Sequence, residues 1–359
     1  METLRAKLGQ MIMAGCRGEH ISPDERTIFE DYGFGGVVLL RHNCAEPRQI
    51  LTLCRSFWES AGSEPPLIAI DQEGGEVHRL PHPFTRFPAA ATLGARRDAS
   101  LAYRAGRACA AELALAAINL NFAPVLDVNS NPANPIIAER AFGSDPRSVS
   151  TVALAWARGL REGGVIPCGK HFPGHGDTDQ DSHLTLPVID KTSAEIEAIE
   201  LPPFVDACRS GIEALMTAHV KFPALDPCHA ATLSEPIITG LLRHQLGYEG
   251  VVFSDDLEMK AISDHYAAGE AAVLALLAGV DVMLYCHDLA NAAQALDYLY
   301  AEAGRSPAVR ARVEAGHKRI TELKRRRLKT FGGAAAHELE ERLGRLRHRS
   351  IVAEIQGNL

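Results

Sequence analysis

The sequence predicts an α/β protein that folds as a single (β/α)8 TIM-type barrel with a C-terminal helical tail. Eight short apolar runs alternate with longer stretches of helical character, such as 100–117, 193–210 and 267–278. This alternation favours parallel strands, and the count of eight favours closure of the sheet into a barrel. The predicted strands lie at 10–14, 36–40, 67–71, 121–127, 165–170, 215–220, 251–255 and 280–284.

Alternation alone also permits a doubly wound open sheet, and the pattern leaves that alternative open. The segment after the third run, DQEGGEVHRL, lacks the G-x-G-x-x-G spacing of a dinucleotide-binding turn. No internal repeat or low-complexity linker divides the chain of 359 residues. We therefore expect a catalytic barrel over 1–306 and a helical extension over 307–359, packed on or beside the barrel.

The distribution of cysteine and of apolar residues indicates a cytoplasmic protein. The eight cysteines are scattered without a CxxC pair, which is typical of reduced thiols rather than of disulfides or a zinc ribbon. The first residues, METLRAKLGQMIMAGC, lack the pattern of a signal peptide, and no apolar run reaches the roughly 18 residues that span a bilayer. We expect a cytoplasmic monomer without a membrane partner.

Charge is distributed unevenly along the chain. The net charge is −8, yet residues 305–349 hold 14 Lys and Arg against 5 Asp and Glu. The run KRRRLK at 324–329 has the composition of a nucleic-acid patch, but no aromatic residues interleave the basic ones. Because cations are favoured at the C-terminal end of a helix, we interpret the run as a solvated helix end and expect no nucleic-acid partner.

Charged or imidazole side chains stand at the ends of five predicted strands. They are Asp71, Asp127, Lys170 with His171, His219 and Asp255. A single aspartate at a strand end is usually a turn former or a helix cap. In a barrel, however, the C-terminal strand ends meet at the face where catalysis takes place, and charges gathered there are costly unless a polar ligand lies among them. The sequence therefore predicts a polar site at this end of the barrel.

The densest polar segment is KHFPGHGDTDQDSH at 170–183, whose Pro and Gly content predicts a loop. Its acidic positions resemble the start of an EF-hand, but Ser182 replaces the turn glycine and Val188 replaces the bidentate glutamate, which excludes a calcium site. A zinc or iron site, and with it a metal-dependent barrel hydrolase, stays open, although no H-x-H pair ends the first strand. Its ligands would be His171, His175, Asp177 and His183.

Asp181 and His183 favour acid/base chemistry instead. Side chains two positions apart on an extended loop share a face, so the carboxylate can orient the imidazole and stabilise its protonated form. Such a pair provides a proton donor that works near neutral pH. His175, by contrast, fits an incidental histidine on a surface loop.

The segment 170–183 resembles the signature of glycoside hydrolase family 3, in the β-N-acetylhexosaminidase branch of the NagZ type. Three further segments agree in the expected order: DQEGG at 71–75, ERAFG at 139–143 and FSDDLEM at 253–259. The resemblance covers about residues 8–290 of the chain. It implies a retaining glycosidase that binds a small carbohydrate and needs no metal or organic cofactor.

The resemblance also implies a role for individual residues. Asp255, which follows Ser in FSDD, is the nucleophile, and His183 paired with Asp181 is the acid/base. Asp256 is the strand neighbour of Asp255, so its side chain should point to the opposite side of the strand. We expect it to act as a helix cap or as an acceptor behind the site. The residues implied to bind the sugar are Asp71, Arg79, Arg140, Lys170 and His171.

The family implies a substrate in which terminal β-linked N-acetylglucosamine is joined to anhydro-N-acetylmuramic acid, with or without peptide, as met in peptidoglycan recycling. One position departs from the family: Glu76 stands in GGEV where a basic residue is common, so it bears on the group accepted beyond the cleaved bond.

Two further alternatives stay open. A phosphorylase would use the same site with phosphate as acceptor, and a non-catalytic sugar sensor would bind nucleic acid through the basic tail.

Overall fold

Eight parallel strands close into a barrel in the computed structural model, each pairing with its sequence neighbour and the first with the last. The structure describes residues 3–62, 64–180, 182 and 185–358, apart from the side chains of 336 and 340. The strands are β1 (Ile12–Gly15), β2 (Gly36–Leu39), β3 (Leu67–Ile70), β4 (Leu120–Asn121), β5 (Ile166–Phe172), β6 (Ala214–Thr217), β7 (Val251–Asp256) and β8 (Val282–Tyr285). Each overlaps one predicted run, which confirms the (β/α)8 barrel and excludes the open sheet.

The strands form where the sequence offers side chains that can be buried on both faces of a sheet. Every residue of β1, β2, β3 and β6 is buried, which is the pattern of parallel strands covered by helices. Phe122, directly after β4, and Phe253, on β7, meet edge to face with ring centroids 5.8 Å apart, although their strands are not neighbours. The interior of the barrel is therefore a packed core, and a ligand can reach only its ends.

Helices cover the outside of the barrel. They are α1 (Leu4–Gly9), α2 (Pro23–Tyr32), α3 (Pro47–Ser60), α4 (Ala90–Ala95), α5 (Ala99–Leu115), α6 (Pro146–Glu162), α7 (Ser193–Ile199), α8 (Pro202–Arg209), α9 (Lys260–Ser263), α10 (Ala268–Ala278), α11 (Leu289–Arg305), α12 (Pro307–Arg327), α13 (Ala336–Arg342) and α14 (Leu346–Gln356). A π-helical segment (Pro236–Gln245) follows β6. None of the described helices combines the length and apolar character needed to cross a bilayer.

Side-chain caps and prolines determine where several helices begin. Ser22 and Glu25 form a capping box at the start of α2, and Asp145 caps α6 through the N–H of Ser148. The stretch 193–210 forms two helices rather than one continuous helix. Pro202 and its successor lack the N–H groups that would continue α7, so a second helix, α8, begins there.

The C-terminal helices pack against the barrel helices. Helix α12 contacts α10 and α11, α13 contacts α3 and α5, and α14 contacts α4 and α5. Two cations of the basic run form hydrogen bonds with groups of the barrel domain. Lys324 is buried and donates from Nζ to Gln10 Oε1 at 2.5 Å and to the carbonyl of Gly35 at 2.9 Å. Arg327 donates to the carbonyl of Arg161 at 2.8 Å. The other cations of the run, Arg325, Arg326 and Lys329, are exposed, as expected of a solvated helix end.

Asp281, just before β8, connects α12 to the barrel wall. Its carboxylate accepts from Arg243 Nη2 at 2.6 Å, from Arg319 Nη1 at 2.8 Å and from the N–H of Val252 at 2.9 Å. The side chain of Asp281 is 2% exposed, so these donors replace water almost completely. One buried carboxylate therefore links the π-helical segment, α12 and β7.

Replacing Asp281 should measurably destabilise the fold. Asp281→Ala leaves two arginines without their buried carboxylate and should lower the free energy of unfolding by about 3–5 kcal/mol, as measured by urea denaturation at pH 7. Glu322→Gln is the matched control, because Glu322 forms only exposed pairs with Arg325 and Arg326, and it should leave stability almost unchanged. Equal losses in the two variants would contradict this account.

Candidate active site

Lys170, on β5, is an almost fully buried cation at the C-terminal end of the barrel. Its Nζ lies 2.5 Å from Asp71 Oδ1 and 2.7 Å from Glu73 Oε1, and only 2% of its side chain is exposed. Burial disfavours the ammonium, but the two carboxylates outweigh burial and raise the pKa of Lys170. Lys170 therefore carries a stable positive charge that joins the end of β5 to the segment after β3.

Glu73 also binds a second cation, Arg140, beside Lys170. Its carboxylate accepts two bonds from Arg140, from Nε and from Nη2, each at 2.9 Å, in the bidentate geometry that suits a guanidinium. Burial alone would raise the pKa of Glu73, but Arg140 and Lys170 outweigh it and hold that pKa far below its usual value. Glu73 is thus a fixed anion that positions two cations.

Asp127 fixes the first two histidines of the 170–183 loop. It is fully buried and accepts from His171 Nδ1 at 2.6 Å, from the N–H of His171 at 3.0 Å and from the N–H of His175 at 2.8 Å. These donors outweigh burial and lower the pKa of Asp127. Because Nδ1 of His171 is committed to Asp127, Nε2 is the ring atom with which His171 can meet a ligand.

Asp255 is a half-buried carboxylate near the tip of β7. Burial opposes its ionisation, but electrostatic attraction by His219 and His171 outweighs burial and lowers the pKa of Asp255. Lys170 adds to this effect, as does the N–H of Asp256, which donates to Asp255 Oδ1 at 2.9 Å. Asp255 is therefore ionised at neutral pH.

The neighbouring Asp256 has a different environment. Its Oδ1 accepts from the N–H of Glu258 at 3.1 Å and from the N–H of Cys286 at 3.3 Å, and its side chain is buried. Burial, together with repulsion by Glu258 and Asp255, raises the pKa of Asp256 to about 7. Two adjacent carboxylates thus have opposite pKa shifts, and Asp255 is the one held in the anionic form.

His219 supports the position of β7 beside Asp255. Its Nε2 donates to the carbonyl of Asp256 at 2.9 Å, and its Nδ1 lies 2.8 Å from Thr232 Oγ1. The ring is completely buried and held from both sides, so its electrostatic attraction on Asp255 comes from a fixed position.

The predicted site residues are placed as follows. Asp71, Lys170 and Arg140 form one cluster through Glu73, and His171 lies on the same strand as Lys170. The backbone N–H of Arg79 donates to Gln72 Oε1 at 3.0 Å. The side-chain Nε of Arg79 is buried and has no hydrogen-bond partner among the described residues. Asp181 and His183 lie outside the described residues.

His175 is not the incidental surface histidine that the sequence analysis allows. It is 2% exposed, its Nδ1 lies 3.0 Å from Thr178 Oγ1 and its Nε2 lies 3.1 Å from Ser182 Oγ. Thr178 donates its hydroxyl proton to the carbonyl of His175, so Nδ1 is the donor to Thr178 and Nε2 accepts from Ser182. Burial, with repulsion by His171, lowers the pKa of His175 to about 4. A neutral ring therefore holds Ser182.

Asp177 gives the same loop a second support. Lys191 Nζ lies 3.1 Å from Asp177 Oδ1 and 2.7 Å from Glu200 Oε1, and Ser130 Oγ donates to Asp177 Oδ1 at 3.0 Å. The three described members of the metal alternative thus have protein partners. Within the described ranges, no group of three or more His, Cys, Asp or Glu side chains is arranged to hold a metal ion.

The sequence does not reveal the supporting roles of three residues that shape this site. Asp127 and His219 were visible as strand-end residues, but no local feature distinguishes a residue that orients a site from one that binds a ligand. Glu73 lies in the DQEGG segment, and its role depends on Arg140, which is 67 positions away. No spacing rule within one segment predicts such a pair.

The arrangement suits a neutral ligand rich in hydroxyl groups. Carboxylates and cations in fixed positions can donate to and accept from hydroxyls, and charge-assisted hydrogen bonds are the stronger kind. An ionised carboxylate beside them can attack an electrophilic carbon or stabilise positive charge on it.

Comparison with known proteins agrees with this chemistry. A model of the glycosyl hydrolase family 3 N-terminal domain matches residues 3–323. A β-hexosaminidase of Neisseria meningitidis serogroup C is 38% identical over 283 residues, which cover 77% of this chain and 78% of that protein.

Two solved structures are similar over almost the whole chain. A family 3 β-N-acetylglucosaminidase of Paenibacillus sp. FPU-7 is 40% identical with a TM-score of 0.91, over 99% of this chain and 68% of its own. NagZ of Neisseria gonorrhoeae, solved in complex with N-trifluoroacetyl-D-glucosamine, is 30% identical with a TM-score of 0.78, over 97% of both chains. These similarities confirm the resemblance of the sequence motifs, and the chain belongs to glycosyl hydrolase family 3, a family of glycoside hydrolases.

Proposed function

We propose that this enzyme is a retaining β-N-acetylhexosaminidase that removes terminal β-linked N-acetylglucosamine. The observation that carries the proposal is Asp255, an ionised carboxylate near the tip of β7 that lies in the field of His219, His171 and Lys170. The names of the curated β-hexosaminidase relatives and of the β-N-acetylglucosaminidase structure support the same reaction.

The reaction has two steps in this proposal. An oxygen of Asp255 attacks the anomeric carbon, and the bond to the leaving oxygen breaks as His183 protonates that oxygen. His183 then takes a proton from water, whose oxygen attacks the anomeric carbon and releases Asp255. Asp181 orients His183 and stabilises its protonated form. The roles of Asp181 and His183 rest on the family resemblance of the 170–183 segment.

The cluster around Lys170 would bind the terminal sugar. Asp71 accepts from sugar hydroxyls, while Lys170 and Arg140 donate to others, and His171 offers Nε2. Glu73 keeps the two cations apart and in place, so the cluster is preorganised before the sugar arrives. Arg79, whose buried Nε has no described partner, would complete the set. Charged groups in such positions reject sugars that lack the matching hydroxyl.

The natural substrate in this proposal is N-acetylglucosamine joined to anhydro-N-acetylmuramic acid, with or without peptide, in peptidoglycan recycling. A cytoplasmic location agrees with the eight cysteines, all of which are free thiols.

Loss of the nucleophile or of the acid/base should abolish hydrolysis of 4-nitrophenyl N-acetyl-β-glucosaminide. We expect Asp255→Ala to lower kcat at least about 10³-fold and His183→Ala about 10²- to 10⁴-fold, because each removes a group that acts only in the chemical steps. Asp264→Ala, at an exposed position after β7, is the control.

A 5-fluoro glycosyl fluoride of N-acetylglucosamine should label the Asp255 peptide of the wild type, which mass spectrometry detects. Full activity of either variant, or a label elsewhere, would overturn the assignment. Added phosphate separates hydrolase from phosphorylase: a rise in turnover with formation of N-acetylglucosamine 1-phosphate would identify the phosphorylase.

The charge of Glu76 should affect anionic and neutral substrates differently. Glu76 is exposed on the connection after β3, where it would repel the lactyl carboxylate of a peptide-free muramic acid unit. We expect Glu76→Arg to raise kcat/KM for that disaccharide about three- to tenfold at low salt and to change kcat/KM for chitobiose much less. Glu76→Gln should give a smaller shift in the same direction. Equal effects on the two disaccharides would show that Glu76 does not face the leaving group.

Acid should loosen the loop that carries His183, because the anchor of Ser182 is a neutral histidine. The pKa of His175 is about 4 in the folded protein, and a free histidine titrates near 6.5. Between these values the unfolded chain binds more protons, so this contribution to stability is complete above pH 6.5 and is lost as the pH falls to 4. Its loss between pH 7 and pH 5 should be roughly 2 kcal/mol.

His175→Asn tests this effect by urea denaturation at several pH values. The variant should be less stable at pH 7, and its stability should fall less steeply towards pH 5 than that of the wild type. Parallel curves for the two proteins would exclude a buried, neutral His175.

A further inference from the structure

Glu112, on α5, is a buried carboxylate that joins two segments far apart in the sequence. Its Oε2 accepts from the N–H of Thr85 at 2.6 Å, and its Oε1 accepts from the hydroxyl of Thr85, also at 2.6 Å. The same Oε1 accepts from the N–H of Gly344 at 3.0 Å and from His348 Nδ1 at 2.7 Å. Glu112 and His348 are each 3% exposed, so water cannot replace these donors. We call these four residues the Glu112 clamp.

Thr85 lies on the connection of residues 71–89, between β3 and α4, which also carries part of the proposed sugar site. Asp71 and Glu73 begin this connection, and Arg79 lies at its middle. The first part is fixed to the barrel, because Gln72 and Asn121 exchange two hydrogen bonds at 3.0 Å. The later part is fixed by the Glu112 clamp.

Gly344 and His348 belong to the C-terminal segment, beyond the residues that the family model matches. His348 is oriented as a donor to Glu112, since its Nε2 accepts from Arg347 Nε at 3.3 Å. Gly344 has φ +55°, and a Cβ there would lie 2.4 Å from the carbonyl oxygen of Pro83. The C-terminal segment therefore touches the 71–89 connection directly as well as through Glu112.

We propose that the C-terminal segment positions the substrate-binding connection after β3, with His348 and Thr85 as positioning residues that act through Glu112. The proposal rests on the proposed function, since Asp71 and Arg79 are taken to contact the sugar. Without His348, a buried carboxylate loses a charge-assisted bond and can keep its remaining donors only by moving or by admitting water. Either change shifts Thr85 and the connection that holds Arg79.

A second contact of α14 provides the matched control. Glu354 forms a bidentate pair with Arg104 at 2.9 and 2.6 Å, and its side chain is 39% exposed. This pair also fastens α14 to α5, but no residue of the 71–89 connection takes part in it. Glu354→Gln therefore weakens the attachment of the tail without disturbing the Glu112 clamp.

The test compares His348→Ala, Thr85→Val, the double variant and Glu354→Gln with 4-nitrophenyl N-acetyl-β-glucosaminide. We expect each clamp variant to raise KM about tenfold with little change in kcat, because sugar binding is lost equally in the ground and transition states. The double variant should also show an increase of about tenfold rather than a hundredfold, since both changes break one coupled unit. His348→Gln keeps a donor towards Glu112 and should restore KM to within about threefold. Glu354→Gln should leave KM unchanged.

Hydrogen exchange gives a readout that does not depend on activity. In His348→Ala, amides of residues 78–88 should exchange faster while those of the barrel strands keep their protection. If the wild type hydrolyses no N-acetylglucosaminide, the proposed function is wrong. The hydrogen-exchange comparison then still tests whether the Glu112 clamp positions residues 78–88. The inference is overturned if exchange in 78–88 and KM both stay at wild-type values, or if Glu354→Gln has the same effects. Should His348→Ala fail to fold, Thr85→Val and His348→Gln carry the same comparison.

Discussion

The buried ammonium of Lys170 is the constraint on which the rest of the site depends. A cation at 2% exposure is stable only with anions in contact, and Asp71 and Glu73 provide them at 2.5 and 2.7 Å. Glu73 in turn binds both Lys170 and Arg140, so removal of any one member takes a counterion from a charge in the cluster. The four charges cancel, and the cluster holds the ends of β3 and β5 together without adding net charge. The negative charge of Asp255 is therefore available for a positive charge that develops on a substrate.

The two adjacent aspartates of β7 show how the environment rather than the residue type decides the role. Asp255 lies in the attractive field of His219 and His171 and has a lowered pKa, whereas burial raises the pKa of Asp256 to about 7. Carboxylates with pKa values shifted apart are typical of sites in which one group must stay anionic. The backbone supports the same division, because His219 holds the carbonyl of Asp256 while the N–H of Asp256 donates to Asp255.

Local patterns in the sequence predict the barrel well, because each strand is an apolar run and each strand end exposes its polar residue at the same face. They predict Asp71, Lys170 and Asp255 as neighbours for the same reason. They do not predict the partners that make these residues stable. Lys170 and Asp71 are 99 positions apart, and His348 and Glu112 are 236 apart. The burial of His175 was missed because it depends on Asp127 and on the loop that folds back over the ring, and neither is visible in the spacing of the loop itself.

The connection after β3 and the loop after β5, which flank the site, are held in place by different interactions. The connection after β3 is held by charges and by a buried carboxylate that reaches the C-terminal segment, whereas the loop after β5 is held by the neutral ring of His175 and by the pair of Asp177 with Lys191. Hydrogen bonds between neutral groups are weaker than those between charged groups, so the contact of His175 with Ser182 costs less to break than the charged contact of Asp177 with Lys191. The proposed retaining mechanism needs this difference. The nucleophile and the sugar-binding groups must keep one geometry through both steps, while the acid/base must exchange a leaving group for water. In the proposed mechanism, a rigid cluster on strand ends together with an acid/base supplied by the segment after β5 would satisfy both requirements within one barrel.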